Sequence, residues 1–213
     1  MRIKKLITIL LLSGLTAINM CSCDKNSKEI TTSEVMEDNI EVVNENIVTG
    51  NRFVVLNDDS EIQMDEDGSF IYYRTKEEYD GDYYKGTYEA YHGQEAVDKV
   101  VSLEQYGITE EEIDRVIDST IESGYRLGDV SGQNSMFYML ENYTGEKYSN
   151  AETYDVDKDV FYCIILHNDI LYMDGKEEEI EHDTVYIGYY IEEVGMIDLL
   201  NIGTANSAVW ILQ

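Results

Sequence analysis

Two acid-rich runs and three histidines are the side chains whose types suit chemistry, and their spacing argues against most of it. Asp155-Val156-Asp157-Lys158-Asp159 opens like an EF-hand calcium loop, but its sixth position is Val160 in place of glycine and its twelfth is Leu166 in place of the bidentate glutamate. Asp65-Glu66-Asp67-Gly68 has Gln63 where the first ligand belongs and Arg74 at the twelfth position. Both runs therefore read as solvated acidic turns. His92, His167 and His182 stand at no metal-ligand spacing and read as surface or turn residues. No metal and no cofactor are expected.

Nucleophiles fare no better. Gly128-Asp129-Val130-Ser131-Gly132 has one residue too many before the serine for a nucleophile elbow, and no strand pattern precedes it. Cys163 lies in the apolar run Phe161-Tyr162-Cys163-Ile164-Ile165-Leu166, where a thiol is a small buried hydrophobe; an activated thiolate needs a cationic, partly exposed setting. His167 follows it by four residues, about 13 Å away along a strand, too far to act as its base. Among so many carboxylates, runs such as Glu177-Glu178-Glu179 and Glu192-Glu193 are expected by chance and assign no acid and base. No catalytic residue is assigned.

Charge bounds the partners. The 213 residues hold 15 Lys plus Arg against 44 Asp plus Glu, a formal charge of −29. Such a surface repels nucleic acid, anionic lipid and anionic polymers, so a ligand or protein partner is expected to be neutral or cationic. The same charge also keeps a tethered protein soluble and off a membrane surface.

The elements that must position any site are legible in outline. Proline is absent, where average usage would give about ten, so turns rely on Gly, Asn and Asp. Residues 52–56, 61–64 and 69–74, separated by Asn57-Asp58-Asp59 and the Asp65 run, predict a three-strand meander. Residues 82–91 add a fourth strand, with Tyr84, Gly86, Tyr88 and Ala90 on one face and Tyr83, Lys85, Thr87, Glu89 and Tyr91 on the other. Gly86 marks a bend or a close approach of another segment. Residues 160–166 and 170–173 predict a hairpin turning at His167-Asn168-Asp169, and residues 184–191, 196–200 and 208–212 complete a second strand set, with Asp174-Gly175 and Gly195 at turns.

Two helices are expected between the sets. Residues 95–101 place Ala96, Val97, Val100 and Val101 on one stripe. In the next, Thr109 and Glu112 spell a capping box, Glu110 and Glu111 favour the positive N-terminus, Gly124 ends the helix, and Ile113, Val116, Ile117 and Ile121 form the docked face. Residues 126–150 read as irregular, with 135–140 ambiguous between strand and helix. The fold class is α+β: a mainly antiparallel sheet, or a partly open barrel, with a two-helix insert after the fourth strand.

The N-terminus supplies an address. Arg2, Lys4 and Lys5 precede an apolar run over residues 6–18 that is too short to span a bilayer stably, followed by Met20-Cys21-Ser22-Cys23. Small Ser22 before Cys23 suits lipoprotein processing better than Met20 before Cys21. The pattern resembles the lipobox of bacterial lipoproteins, which implies export and acylation at Cys23; an ordinary secretory signal and an uncleaved anchor are the competing readings. Removal of residues 1–22 would take away three cations and no acid, moving the charge from −29 to −32. Residues 23–49, lacking aromatics, are then the lipidated cysteine and a flexible tether reaching about 28 Å. Residues 50–213 hold all 18 tyrosines and form one β-rich domain.

Asp67-Gly68-Ser69-Phe70, Tyr83-Tyr84-Lys85-Gly86-Thr87-Tyr88 and Gly93-Gln94-Glu95-Ala96 resemble a segment of small, uncharacterised exported proteins of Gram-positive bacteria, which implies no activity. The Gly-x-Tyr strand within a meander also resembles lipocalin-like barrels, which would imply an interior cavity. The expected function is a noncatalytic, lipid-anchored extracytoplasmic binding module at the cell membrane, with Tyr83, Tyr91, Tyr189 and Tyr190 as candidates for the ligand face. The alternatives are a carboxylate-dependent hydrolase of cell-wall glycan or peptide, and a surface inhibitor or immunity protein.

Overall fold

The computed structural model describes residues 46–56, 60–74, 81–126, 145 and 153–213. The expected signal segment, Cys23, most of the tether, Asn57-Asp58-Asp59, Ser131 and the 135–140 run lie outside the described residues.

Eight strands follow one another around a closed antiparallel barrel: β1 (Arg52–Val55), β2 (Ser60–Met64), β3 (Ser69–Tyr73), β4 (Tyr83–His92), β5 (Phe161–Met173), β6 (Lys176–Ile191), β7 (Met196–Asn201) and β8 (Asn206–Leu212). Phe53 opposite Leu212 and Val55 opposite Trp210 close the ring between first and last strands. Closure removes the unpaired edges that an open sheet would leave along β1 and β8. The fold is therefore the closed form of the lipocalin-like arrangement, with α1 (Gly93–Ser102) and α2 (Glu110–Ser123) inserted after the fourth strand.

Strand alternation sorts the apolar side chains into two layers. Phe53, Ile62, Met64, Phe70, Ile164, Ile197 and Trp210 face inward and are almost fully buried. An eight-stranded barrel is just wide enough for side chains to fill; truncating Trp210 to alanine would cost about 3–5 kcal/mol. The opposite faces of β5–β8 carry Cys163, Ile165, Val185, Ile187, Ile191, Val209 and Ile211, which pack under Ala96, Val97 and Val100 of α1 and Ile113 and Ile117 of α2. Burial on both faces explains why β5 reads as a continuous apolar run.

The capping box of α2 forms: Glu112 N–H donates to Thr109 Oγ1 and Thr109 N–H donates to Glu112 Oε2. Ile121, expected on the docked stripe, is 43% exposed, because the buried face of α2 ends at Ile117.

One expected turn is a correction. β5 runs unbroken through His167-Asn168-Asp169, and the hairpin turns at Asp174-Gly175. The three polar residues form a β-bulge instead: Gly86 pairs with Asn168 and Lys85 with Ile170, leaving Asp169 as the extra residue. The run imitates a turn in sequence because Asn and Asp are favoured turn residues. The Asn168 amide secures the site, donating to the carbonyls of Leu166 (3.2 Å) and His182 (2.8 Å) and to Thr184 Oγ1 (3.2 Å). Gly86 is the expected close approach; a Cβ there would overlap the His167 carbonyl oxygen.

Candidate functional site

The two ends of the barrel differ. At one end, Asn46–Gly50 folds over the opening, with Val48 fully buried against the inward core. Asn46 Nδ2 donates to Ala90 O (2.8 Å), Asn51 Nδ2 to Ile47 O (2.9 Å) and Tyr88 Oη to Asp65 O (2.8 Å). Asn46–Thr49, which precede the compositional break at Gly50, are thus packed onto the barrel. The Asp65 turn lies at this end and uses its carboxylates locally. Asp67 Oδ1 accepts from Ser69 N (2.9 Å) and Ser69 Oγ (2.7 Å), which hold its carboxyl below the usual range. The other acidic loop does the same, Asp157 Oδ1 accepting from the amides of Asp159 and Val160.

At the other end the barrel gives way to an extension. β7 pairs with β6 only from Tyr186 onward, while β5 and β6 continue past the bulge to Asp174-Gly175. A row of side chains crosses the outer face of this extension from β3 to β6. Tyr73 and Tyr83 meet edge to face at 6.3 Å, Tyr83 stacks on Tyr172 at 4.9 Å with rings 6° apart, and Glu177 follows on β6. Glu177 Oε1 accepts from Lys85 Nζ (2.8 Å) and Tyr83 Oη (3.1 Å), so its carboxyl is lowered, first by the lysine. On the inner face Tyr72 and Tyr84 pair at 6.2 Å, and with Tyr186 they are only half-buried. Half-buried tyrosines on both faces of β3 and β4 offer amphipathic contact area of the kind enriched at binding surfaces.

Two polar clusters lie away from this end. On the outer face beside α1, His167 Nδ1 is 2.8 Å from Asp183 Oδ1 and Nε2 is 3.2 Å from Glu89 Oε1. Glu89 also accepts from Lys99 and from Tyr91 Oη (2.6 Å). Lys99 is the largest cause holding Glu89 down to about 2, with Tyr91 adding to it against some burial. Burial lowers His167, but its two carboxylates outweigh that and raise it overall. With the carboxylate ionised and paired, the cluster is an ion network fastening β4, β5, β6 and α1. Cys163, on the same face, is buried under the helices, which push its thiol up to about 12. It has no thiolate character.

The second cluster joins Tyr125, just after α2, to Asp198 on β7. Tyr125 donates its hydroxyl hydrogen to Asp198 Oδ2, and loss of water raises that carboxyl to about 6 despite the hydrogen bond. Tyr125 also exchanges two backbone hydrogen bonds with Tyr154 (2.9 and 2.8 Å), and its ring leans on Tyr189 at 5.6 Å. Among the described residues no group of three or more His, Cys, Asp or Glu is arranged to hold a metal ion.

The four sequence candidates do not share a surface. Tyr83 sits in the exposed row; Tyr91 lies on the same face of β4 near the closed end, bonded to Glu89. Tyr189 is buried beneath the helices, and Tyr190, its neighbour in the strand, belongs to the inward layer. Sequence reasoning missed Tyr73 and Tyr172, which only the register aligns with Tyr83, and Asp198, whose tyrosine partner is 73 residues away. The alternation of β4, which groups Tyr83, Lys85, Glu89 and Tyr91, was the available signal.

Fold and site together define a closed, up-and-down eight-stranded barrel with one plugged end and one tyrosine-bearing end. No protein family, curated protein or solved structure matches the chain. Among the described residues no helix is long and apolar enough to cross a membrane.

Proposed function

We propose that the protein is a lipid-anchored extracytoplasmic binding module that works without catalysis and presents its tyrosine-bearing end to a neutral or cationic ligand or protein. The observation that carries this reading is the polarity of the barrel. The chain enters at the plugged end, where Asn46 is bonded to Ala90; the half-buried Tyr72, Tyr73, Tyr83, Tyr84 and Tyr172 stand together on β3, β4 and β5 toward the other. A tether from Cys23 would attach the plugged end to the membrane and leave Tyr73, Tyr83 and Tyr172 pointing outward. The lipobox resemblance supports the anchor, and the charge of −29 disfavours nucleic acid and anionic lipid.

Two measurements test it. Replacing Cys23→Ser should move the expressed protein from the membrane to the soluble fraction and abolish labelling by palmitate; continued membrane retention and labelling would overturn the anchor. Thermal melting of residues 24–213 against cell-wall fragments and cationic peptides should give a shift of several degrees with one class. The Y83A/Y172A double variant should lose that shift while still melting cooperatively. An unchanged shift in the variant would remove the tyrosine row from the reading.

A further inference from the structure

We infer that the free edge of β6, from Lys176 to Asp183, is a strand-addition site for an extended cationic segment of a protein partner, an inference that rests on reading this end of the barrel as the binding end. β6 is paired with β5 along nearly its whole length, but its other side meets β7 only from Tyr186. Every residue of the stretch except Ile180 is exposed, and among the described residues nothing pairs with its outer edge. An unpaired strand edge is a row of backbone donors and acceptors ready to take another strand. Among the described strands the ring is closed from β1 round to β8, and this overhanging stretch of β6 keeps such a row.

Charge selects the occupant. Lys176-Glu177-Glu178-Glu179-Ile180-Glu181-His182-Asp183 has five acids and one lysine. Two copies of such an edge repel each other, so the charge guards against self-pairing while favouring a strand with alternating Lys or Arg. An added strand would also extend the row Tyr73, Tyr83, Tyr172, Glu177 by one position. Glu177 is already engaged by Lys85. Side chains of the incoming strand would therefore meet mainly Glu178, Glu179 and Glu181, giving affinity from the backbone and selectivity from charge.

The test uses residues 24–213 and three synthetic probes: a ten-residue peptide alternating valine and lysine, the same peptide N-methylated at every second amide, and its valine–glutamate counterpart. Expected are salt-sensitive binding of the first probe, slowed amide exchange confined to residues 176–183, and at least tenfold weaker binding of the N-methylated probe. The E178K/E181K variant, checked for an unchanged melt, should lose the first probe and gain the glutamate one. Equal binding of the N-methylated peptide, or no protection along β6, would overturn strand addition. Protection at residues 71–73 and 83–85 without β6 would overturn it too while leaving the binding end intact; failure of the probes and of the ligand panel together would remove both readings.

Discussion

The two ends of this barrel are built from the same alternating strands, yet one is closed and the other dressed. At the plugged end, inward positions hold Phe70, Met64 and Val48, and the polar groups of Asn46, Asn51 and Asp67 are bonded to nearby backbone. At the far end, equivalent positions hold Tyr72, Tyr84 and Tyr186, and the charged residues pair only on the surface, as Arg74 with Asp82 and Lys85 with Glu177. Large aliphatic and aromatic burial stabilises; half-exposed tyrosine contributes less and keeps a polar tip available. The difference separates a stability end from a contact end within one sheet.

The boundary between them is the most sensitive point. Gly86→Ala should destabilise by about 3 kcal/mol or more, because the new Cβ overlaps the His167 carbonyl and Asp169 amide of the bulge and backbone must shift. Denaturant melts should show the loss, and slowed pairing of β4 with β5 should appear as faster amide exchange beyond the bulge. Wild-type stability in this variant would mean the bulge is adaptable and the two ends are not mechanically distinct.

Next in size is a direct contrast. Val48→Asp should cost about 3 kcal/mol by burying a carboxyl without a partner, whereas Met173→Asp at the other end, 41% exposed, should change stability by less than about 0.5 kcal/mol. Parallel urea titrations decide it. Similar costs at both positions would erase the distinction between the ends.

Much of this architecture was legible because it is local. The capping box at Thr109 and Glu112, the β4 alternation and the β7–β8 strands depend on neighbours within a few residues. What sequence hid depends on register. His167-Asn168-Asp169 has the composition of a turn, and only pairing with Gly86 reveals a bulge; the consequence was to cut β5 short and to leave Glu177 to Glu179 as a wet run instead of strand β6. His167 finds Glu89 across 78 residues, a contact no spacing rule encodes. That the four candidate tyrosines do not share one surface follows in part from strand alternation, since the adjacent Tyr189 and Tyr190 face opposite ways.

The smallest expected effect concerns the stability half alone and is read through pH. Asp198 titrates near 6 in the folded chain against an ordinary 3.8, so the folded state holds its proton more tightly than the unfolded. Stability from this group is therefore greatest below about pH 4, falls as pH rises towards 6, and stays lowered above. Glu89, held near 2, acts oppositely, adding stability as pH rises from 2 to its ordinary 4.5, and His167, raised by its carboxylates, loses stability as pH climbs through its folded value. The three slopes overlap in the wild type, but the difference between wild type and Asp198→Asn isolates one. Asparagine keeps an acceptor for Tyr125 and removes the buried charge, so the variant should gain roughly 1 kcal/mol, about 3 °C in melting temperature, at pH 7, and no gain at pH 4. A gain independent of pH would mean that packing and not ionisation sets the effect, and that the Tyr125 contact is made by a neutral carboxyl throughout.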